Sequence, residues 1–145
     1  VTEPLDTTAP HVPSVLFVCV KNGGKSQMAA GLMRQAAGDA VRVASAGTRP
    51  GDAVNALSAE VLREVGVDIT RERPQPVTDA LVADADLIVV LGREAVVEPA
   101  DGTPVETWET DEPSERGIDG VERMRLVRDD IAARVRELTA RLSAR

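Results

Sequence analysis

The sequence predicts an α/β protein: a three-layer, doubly wound sheet of four parallel strands. Three observations carry that expectation. Short apolar runs with a β-branched bias, SVLFVCV and DLIVVLG, suit strands buried on both faces. Segments with apolar residues three and four apart, such as KSQMAAGLMRQAAG and the stretch from Ile118 onward, read as helices. The two kinds of segment alternate, which places helices on both faces of a parallel sheet.

Each element follows in order. The first strand is Ser14 to Val20. A helix begins at Lys25 or Ser26, repeats Met28, Leu32 and Ala36 on one face, and stops at Gly38. Val41 to Gly47 is the second strand. NALSAEVLREVGV is the second helix, with Leu57, Val61 and Val65 on its expected buried face and Gly66 at its end. A Pro-broken loop leads to a short helix for which Thr78 is the N-cap. Asp86 to Gly92 is the clearest buried strand. TPVETWE is a weaker fourth strand, because Pro104 limits pairing. In the last helix Val121, Met124, Ile131, Val135, Leu138 and Leu142 follow the 3/4 spacing. Residues 14–145 read as one domain and residues 1–13, rich in Pro and Thr, as a disordered lead-in carrying the only histidine, His11.

Composition narrows the function. With one Phe, one Trp and no Tyr, the core must be aliphatic. A net charge of −7 excludes a general nucleic-acid binder, which needs clustered Lys and Arg. No apolar run approaches the roughly 20 residues that span a bilayer. One cysteine, Cys19, excludes an intramolecular disulfide and suits a reducing cytoplasm. One histidine and one cysteine fall short of the four ligands of a structural zinc, so no metal is expected.

The chemistry concentrates at VCVKNGGKSQ, residues 18–27. The chain holds 2 lysines against 15 arginines, and both, Lys21 and Lys25, lie here. Cys19 falls at the C-terminal end of a strand and a helix starts just beyond, the edge of an open α/β sheet where ligands bind. A Gly-rich turn feeding a helix N-terminus cradles anions, since its free amides point at the ligand and the helix dipole favours negative charge. Val20, Lys21, Asn22, Gly23, Gly24 and Lys25 are thus the expected oxyanion-binding residues. The turn lacks the G-x-x-x-x-G-K-[ST] spacing of a nucleotide-binding loop and suits one tetrahedral oxyanion. The same field favours a thiolate, making Cys19 a candidate nucleophile under the bound anion. Ser26 is placed to donate a hydrogen bond to it, and Asn22 to adopt the left-handed conformation that holds the loop.

VLFVCVKNGGKSQMAAG resembles the signature of the low-molecular-weight protein tyrosine phosphatase superfamily, V-C-x-x-N-x-x-R-S followed by a small-residue helix. SAGT (Ser45 to Thr48), NALSAEVLREVGVDIT and DEP (Asp111 to Pro113) extend the resemblance over residues 14 to 142. Four departures set the chain apart. Lys25 stands where the family has its loop arginine, and a flexible point charge replaces a planar two-point clamp. Glu112 stands directly before Pro113, where the family has an aspartate acid, with Asp111 one residue earlier. Trp108 is the sole candidate aromatic wall for a phenyl substrate. The extra cysteines of the thioredoxin-coupled arsenate reductases are missing. All four are features of the arsenate–mycothiol transferase branch, which CVKNGGKSQMAAG and DEP…ERMRLVRD resemble.

That resemblance implies a cytoplasmic arsenate reductase of arsenic detoxification, with mycothiol as co-substrate and mycoredoxin downstream. Cys19 is then the nucleophile, Lys25 the loop cation, Ser26 the thiolate's partner, Asp111 or Glu112 the general acid, and Ser45 a brace for the loop. A phosphomonoesterase working through a Cys-phosphate, and a non-catalytic oxyanion-binding module, are the alternatives. Lys21 reads as a solvated side chain or a guide for anions, Asp129 and Asp130 as solvated charge, and Arg123, Arg125 and Arg128 as an exposed helix face within reach of a thiol co-substrate.

Overall fold

In a computed structural model, residues 11–100 and 102–143 are described. The strands are β1 (Ser14–Cys19), β2 (Arg42–Gly47), β3 (Leu87–Leu91) and β4 (Val105–Trp108). They form one sheet in the order β2-β1-β3-β4, every neighbouring pair parallel, as the alternation predicts. The helices are α1 (Lys25–Ala37), α2 (Ala56–Arg63), α3 (Asp79–Asp84) and α4 (Gly120–Ser143), with 3₁₀ turns at Gly38–Ala40 and Pro113–Arg116.

The alternation of side chains along the strands divides the interior into two cores. Val15 and Phe17 of β1 and Leu87, Val89 and Leu91 of β3 meet α1, α2 and α4 on one face. Leu16, Val18, Ile88 and Val90 meet Val82 of α3, Ala85 and Ala95 on the other. Among the described residues no helix lies between β3 and β4; the chain there turns at Gly92 (φ +97°) and Gly102 (φ +80°). β4 is paired on one edge only, and Pro104 lies just outside the paired strand, where its carbonyl accepts the amide of Ile88.

Several elements depart from the expected faces. Leu57 and Val65 are 36% and 39% exposed; α2 instead buries Ser58, Val61 and Leu62, because it rests on α1 and α4 rather than on the sheet. The first two turns of α1, Ser26 through Met33, are buried all round, whereas Ala36 is exposed where the helix leaves the sandwich. Such a helix carries no clean stripe, so spacing alone could not orient it. On α4 the spacing holds, with Val127 joining Met124, Ile131, Val135, Leu138 and Leu142 in the core. Thr78 caps α3 as expected, its hydroxyl accepting the amide of Leu81 at 3.2 Å.

Residues 1–10 of the expected lead-in lie outside the described residues. Residues 11–13 do not hang free. Pro13 accepts the amide of Arg42, and the exposed His11 ring lies 2.8 Å from Asp86, whose carboxylate also takes the amide of Ser14. No described helix is long and apolar enough to cross a membrane.

Candidate active site

β1 is central, with β2 on one side and β3 on the other, so the chain leaves its C-terminal end in one direction and later returns on the opposite flank. That switch point opens a crevice at the carboxyl edge. Cys19 is the last residue of β1 and stands half-buried in the crevice.

The loop behind it is shaped by where its carbonyls go. Those of Cys19, Val20, Lys21 and Gly23 accept the backbone amides of Thr48, Arg49, Gly51 and Asn55 at 2.6–3.1 Å. The carbonyl of Asn22 accepts the side-chain amide of Gln27 at 3.1 Å. These five bonds fix the path of the turn around Cys19. Lys25 opens α1, whose first amides have no partner within the helix.

Asn22 is the hub. It is the one non-glycine residue of positive φ among those described (+53°), a conformation asparagine tolerates. Fully buried, its Nδ2 donates to Ser26 Oγ at 2.8 Å, while its Oδ1 accepts the amide of Gln75 at 3.0 Å and Gln27 Nε2 at 3.4 Å. Ser26, with one donor already pointing at its oxygen, has its own hydrogen free for the thiol, 2.9 Å away. The amide of Asn22 donates to Cys19 Sγ at 3.3 Å. Cys19, Asn22 and Ser26 are therefore brought together, with the Asn22 amide donating to the sulfur and the Ser26 hydroxyl hydrogen-bonded to it. Gln27 and Gln75 were not foreseen. Gln27 follows Ser26 directly in KSQ, and its place in the first turn of a buried helix was the available signal.

Glycine is required where the turn meets its neighbours. A Cβ on Gly47 would lie 2.6 Å from the carbonyl oxygen of Val20, and one on Gly23 would lie 2.9 Å from that of Ala53. The SAGT segment and the Arg49 that follows it thus brace the loop by backbone contact, through Gly47, Thr48 and Arg49. Ser45 is no side-chain brace: its hydroxyl bonds no loop atom among the described residues, and its carbonyl takes Gln75 Nε2 at 2.8 Å. Lys21 points to solvent. Trp108 is no pocket wall either; it is 5% exposed and tilts against Phe17 in the core, ring centroids 5.7 Å apart.

The two acidic candidates part company. Glu112 reaches the loop: its Oε1 accepts Lys25 Nζ at 2.6 Å and its Oε2 accepts Arg123 Nη2 at 3.0 Å. Asp111 turns aside to a two-point pair with Arg116 at 2.7 and 3.0 Å. The hydrogen bond from Lys25, aided by Arg123, holds the Glu112 carboxyl below its ordinary range against the opposing effect of burial. Arg116 does the same for Asp111. Both groups are carboxylates in this state, so neither is a loaded proton donor before a ligand arrives.

α4 contributes more than a solvated face. Asp130 accepts the amide of Asp111 at 2.7 Å and so ties the acidic loop to the helix. Arg128, its side chain 11% exposed, bonds Val61 carbonyl and Glu64. Arg125 pairs with the same Glu64, and the two guanidiniums hold that carboxyl at about 2. Arg125 and Arg128 therefore clamp α2 to α4, Arg123 alone of the three faces the candidate site, and Asp129 remains exposed. Beside Lys25 and Glu112 lies an open cleft of about 380 Å³, lined also by Gly92, Arg93, Asp111 and Glu115.

The chain belongs to the low molecular weight phosphotyrosine protein phosphatases, which it matches over residues 14–145. Among individual relatives it is 33% identical to the arsenate reductase of Halalkalibacterium halodurans over 128 residues, 84% of this chain and 91% of that protein. It superposes on the thioredoxin-dependent arsenate reductase of Corynebacterium glutamicum with a TM-score of 0.79 and 34% identity. That match covers 94% of this chain but spans only 64% of the length of the Corynebacterium protein. A solved arsenate reductase in its phosphate-binding state gives a TM-score of 0.78 at 28% identity, over 90% of this chain and 98% of that one.

Proposed function

We propose that this chain is an arsenate reductase that hands arsenic to an external thiol, with mycothiol as that thiol. The observation that carries the reading is a single sulfur, Cys19, hydrogen-bonded to Ser26 Oγ and the Asn22 amide at the head of a Gly-rich turn: its 145 residues hold no second cysteine to complete a reduction. The named arsenate reductases, one of them in a phosphate-binding state, support the substrate, because arsenate shares the tetrahedral geometry of phosphate. Mycothiol rests on the likeness of CVKNGGKSQMAAG to the arsenate–mycothiol transferases.

Arsenate docks on the amides of residues 20–25, with Lys25 supplying charge. The Cys19 thiolate forms a sulfur–arsenic bond as one oxygen leaves as water, and arsenic stays at the +5 level. The dianion draws Lys25 away from Glu112 and raises that carboxylate's proton affinity. Glu112, the acid that reaches the loop, is then the proton donor to the departing oxygen rather than Asp111. Mycothiol sulfur displaces Cys19 from arsenic, returning the enzyme thiol and releasing an arseno-mycothiol adduct. A mycoredoxin thiol then attacks the mycothiol sulfur. The sulfur–arsenic bond breaks with its electron pair kept by arsenic, giving arsenite and a mixed disulfide that more mycothiol resolves.

Coupled turnover tests this directly. With mycothiol and mycoredoxin the wild-type protein is expected to release arsenite from arsenate, and Cys19→Ser to lose about 10³-fold or more while melting normally. Retained turnover in Cys19→Ser overturns the assignment. Turnover with thioredoxin but not mycothiol keeps the reductase and removes the thiol. Hydrolysis of p-nitrophenyl phosphate at a comparable rate favours the phosphomonoesterase.

A further inference from the structure

Among the described residues Glu112 is the only acidic side chain bonded to Lys25, and it is held at both oxygens by cations from two helices: Lys25 at the start of α1 and Arg123 in the first turns of α4. Arg123 has little else to do. Among the described residues its Nε is buried without a partner, its Nη1 lies against Met124 Sδ at 3.6 Å, and Glu112 is its one carboxylate. Its backbone is fixed, since Met124 and Val127 beside it are in the core and α4 packs along α1. The guanidinium therefore reaches the acidic loop from a fixed backbone post.

Counting charge shows why the post matters. An oxyanion entering the loop must take Lys25 Nζ, which Glu112 already holds at 2.6 Å. A carboxylate with no other counter-ion would compete for that lysine and repel the anion from a half-exposed site. A carboxylate with a second cation can release the lysine and stay where it is.

We infer that Arg123 is a positioning residue that anchors Glu112 and thereby frees Lys25 for the oxyanion. The inference rests on the oxyanion-binding reading of the Cys19 loop. It makes Arg123 act through Glu112 rather than on the anion, and it explains how a flexible lysine serves in place of a rigid guanidinium: the rigidity is supplied from α4.

A double-mutant cycle with inorganic phosphate as the probe tests it, read by calorimetry at fixed ionic strength and by protection of Cys19 from alkylation. Arg123→Gln is expected to weaken phosphate binding about tenfold, and Arg123→Lys to recover most of the loss. Glu112→Gln removes the competitor, so it should bind phosphate at least as tightly as wild type. In the Glu112→Gln background the Arg123→Gln change should then have almost no effect. Equal losses in both backgrounds overturn the inference, since Arg123 would then act straight on the anion; no loss in either overturns it as well. Wild-type protein that binds neither phosphate nor arsenate removes the reading of the loop beneath it. Normal melting of all five proteins separates positioning from folding, and a misfolded Arg123→Gln leaves Arg123→Lys against Arg123→Met to decide.

Discussion

The floor and the rim of the candidate site are built from different forces. The floor, Asn22, Ser26 and Gln27, is fully or almost fully buried and held by hydrogen bonds between neutral groups. The rim, Lys25, Glu112, Arg123, Asp111 and Arg116, is partly exposed and held by ion pairs. Buried neutral networks resist salt and pH and fix one geometry. Half-exposed ion pairs are weak, screened by salt and readily exchanged for a new partner. The loop that must keep its shape is thus built rigid, and the charges that must be re-partnered by a substrate are built loose.

The largest break in that contrast should come from the backbone of the floor. Gly47→Ala forces a methyl to within 2.6 Å of the Val20 carbonyl, an atom that cannot rotate away. Overpacking of this kind costs about 1–3 kcal/mol, and a backbone neighbour puts it at the upper end. Chemical denaturation should show that loss together with loss of oxyanion binding. Unchanged stability and binding would mean that SAGT does not brace the loop.

Asn22 comes next and can be split into its two contributions. Asn22→Gly keeps the left-handed conformation and removes the side-chain bonds, leaving Ser26 Oγ without its Asn22 donor and the Gln75 amide without its acceptor, for about 1–3 kcal/mol. Asn22→Ala removes the same bonds and adds about 1 kcal/mol or more for a side chain at positive φ. The alanine variant should therefore melt below the glycine variant. The reverse order would show that the side-chain network, not the turn, dictates the conformation.

The same contrast explains what could be read from the chain before its fold. The floor was legible because its demands are local: a strand end, two glycines, an asparagine and a serine within eight residues carry the turn, the dipole and the thiol together. The four parallel strands were legible because burial on both faces leaves short apolar runs. What escaped depends on distant partners. Gln75 is 53 residues from the Asn22 it supports, and Arg123 lies 11 residues from Glu112 on a helix whose polar face looks uniformly solvated. The face of α2 was misplaced for a related reason, since a helix resting on two other helices does not turn its most apolar stripe to a sheet. Trp108 looked like a pocket wall because aromatic scarcity made it conspicuous, yet the core takes it for packing on Phe17.

The smallest expected effect is the sharpest test of the contrast. Lys25 and Arg123 depress the Glu112 carboxyl in the folded protein relative to the unfolded chain. A carboxylate with a lowered folded-state value contributes stability that is complete above the unfolded value, about 4.3, and disappears as pH falls through the folded one. Arg116 gives Asp111 the same sign. The wild type should accordingly melt slightly above Glu112→Gln at pH 6, by about 1 kcal/mol or less for a partly exposed pair, and the gap should close by pH 3. Added salt at pH 6 should narrow it too. The gap between wild type and Asn22→Gly, which involves no charge, should hold across both series. A Glu112 gap that survives acid and salt would place that carboxylate with the floor, as a fixed structural bond that no oxyanion could displace.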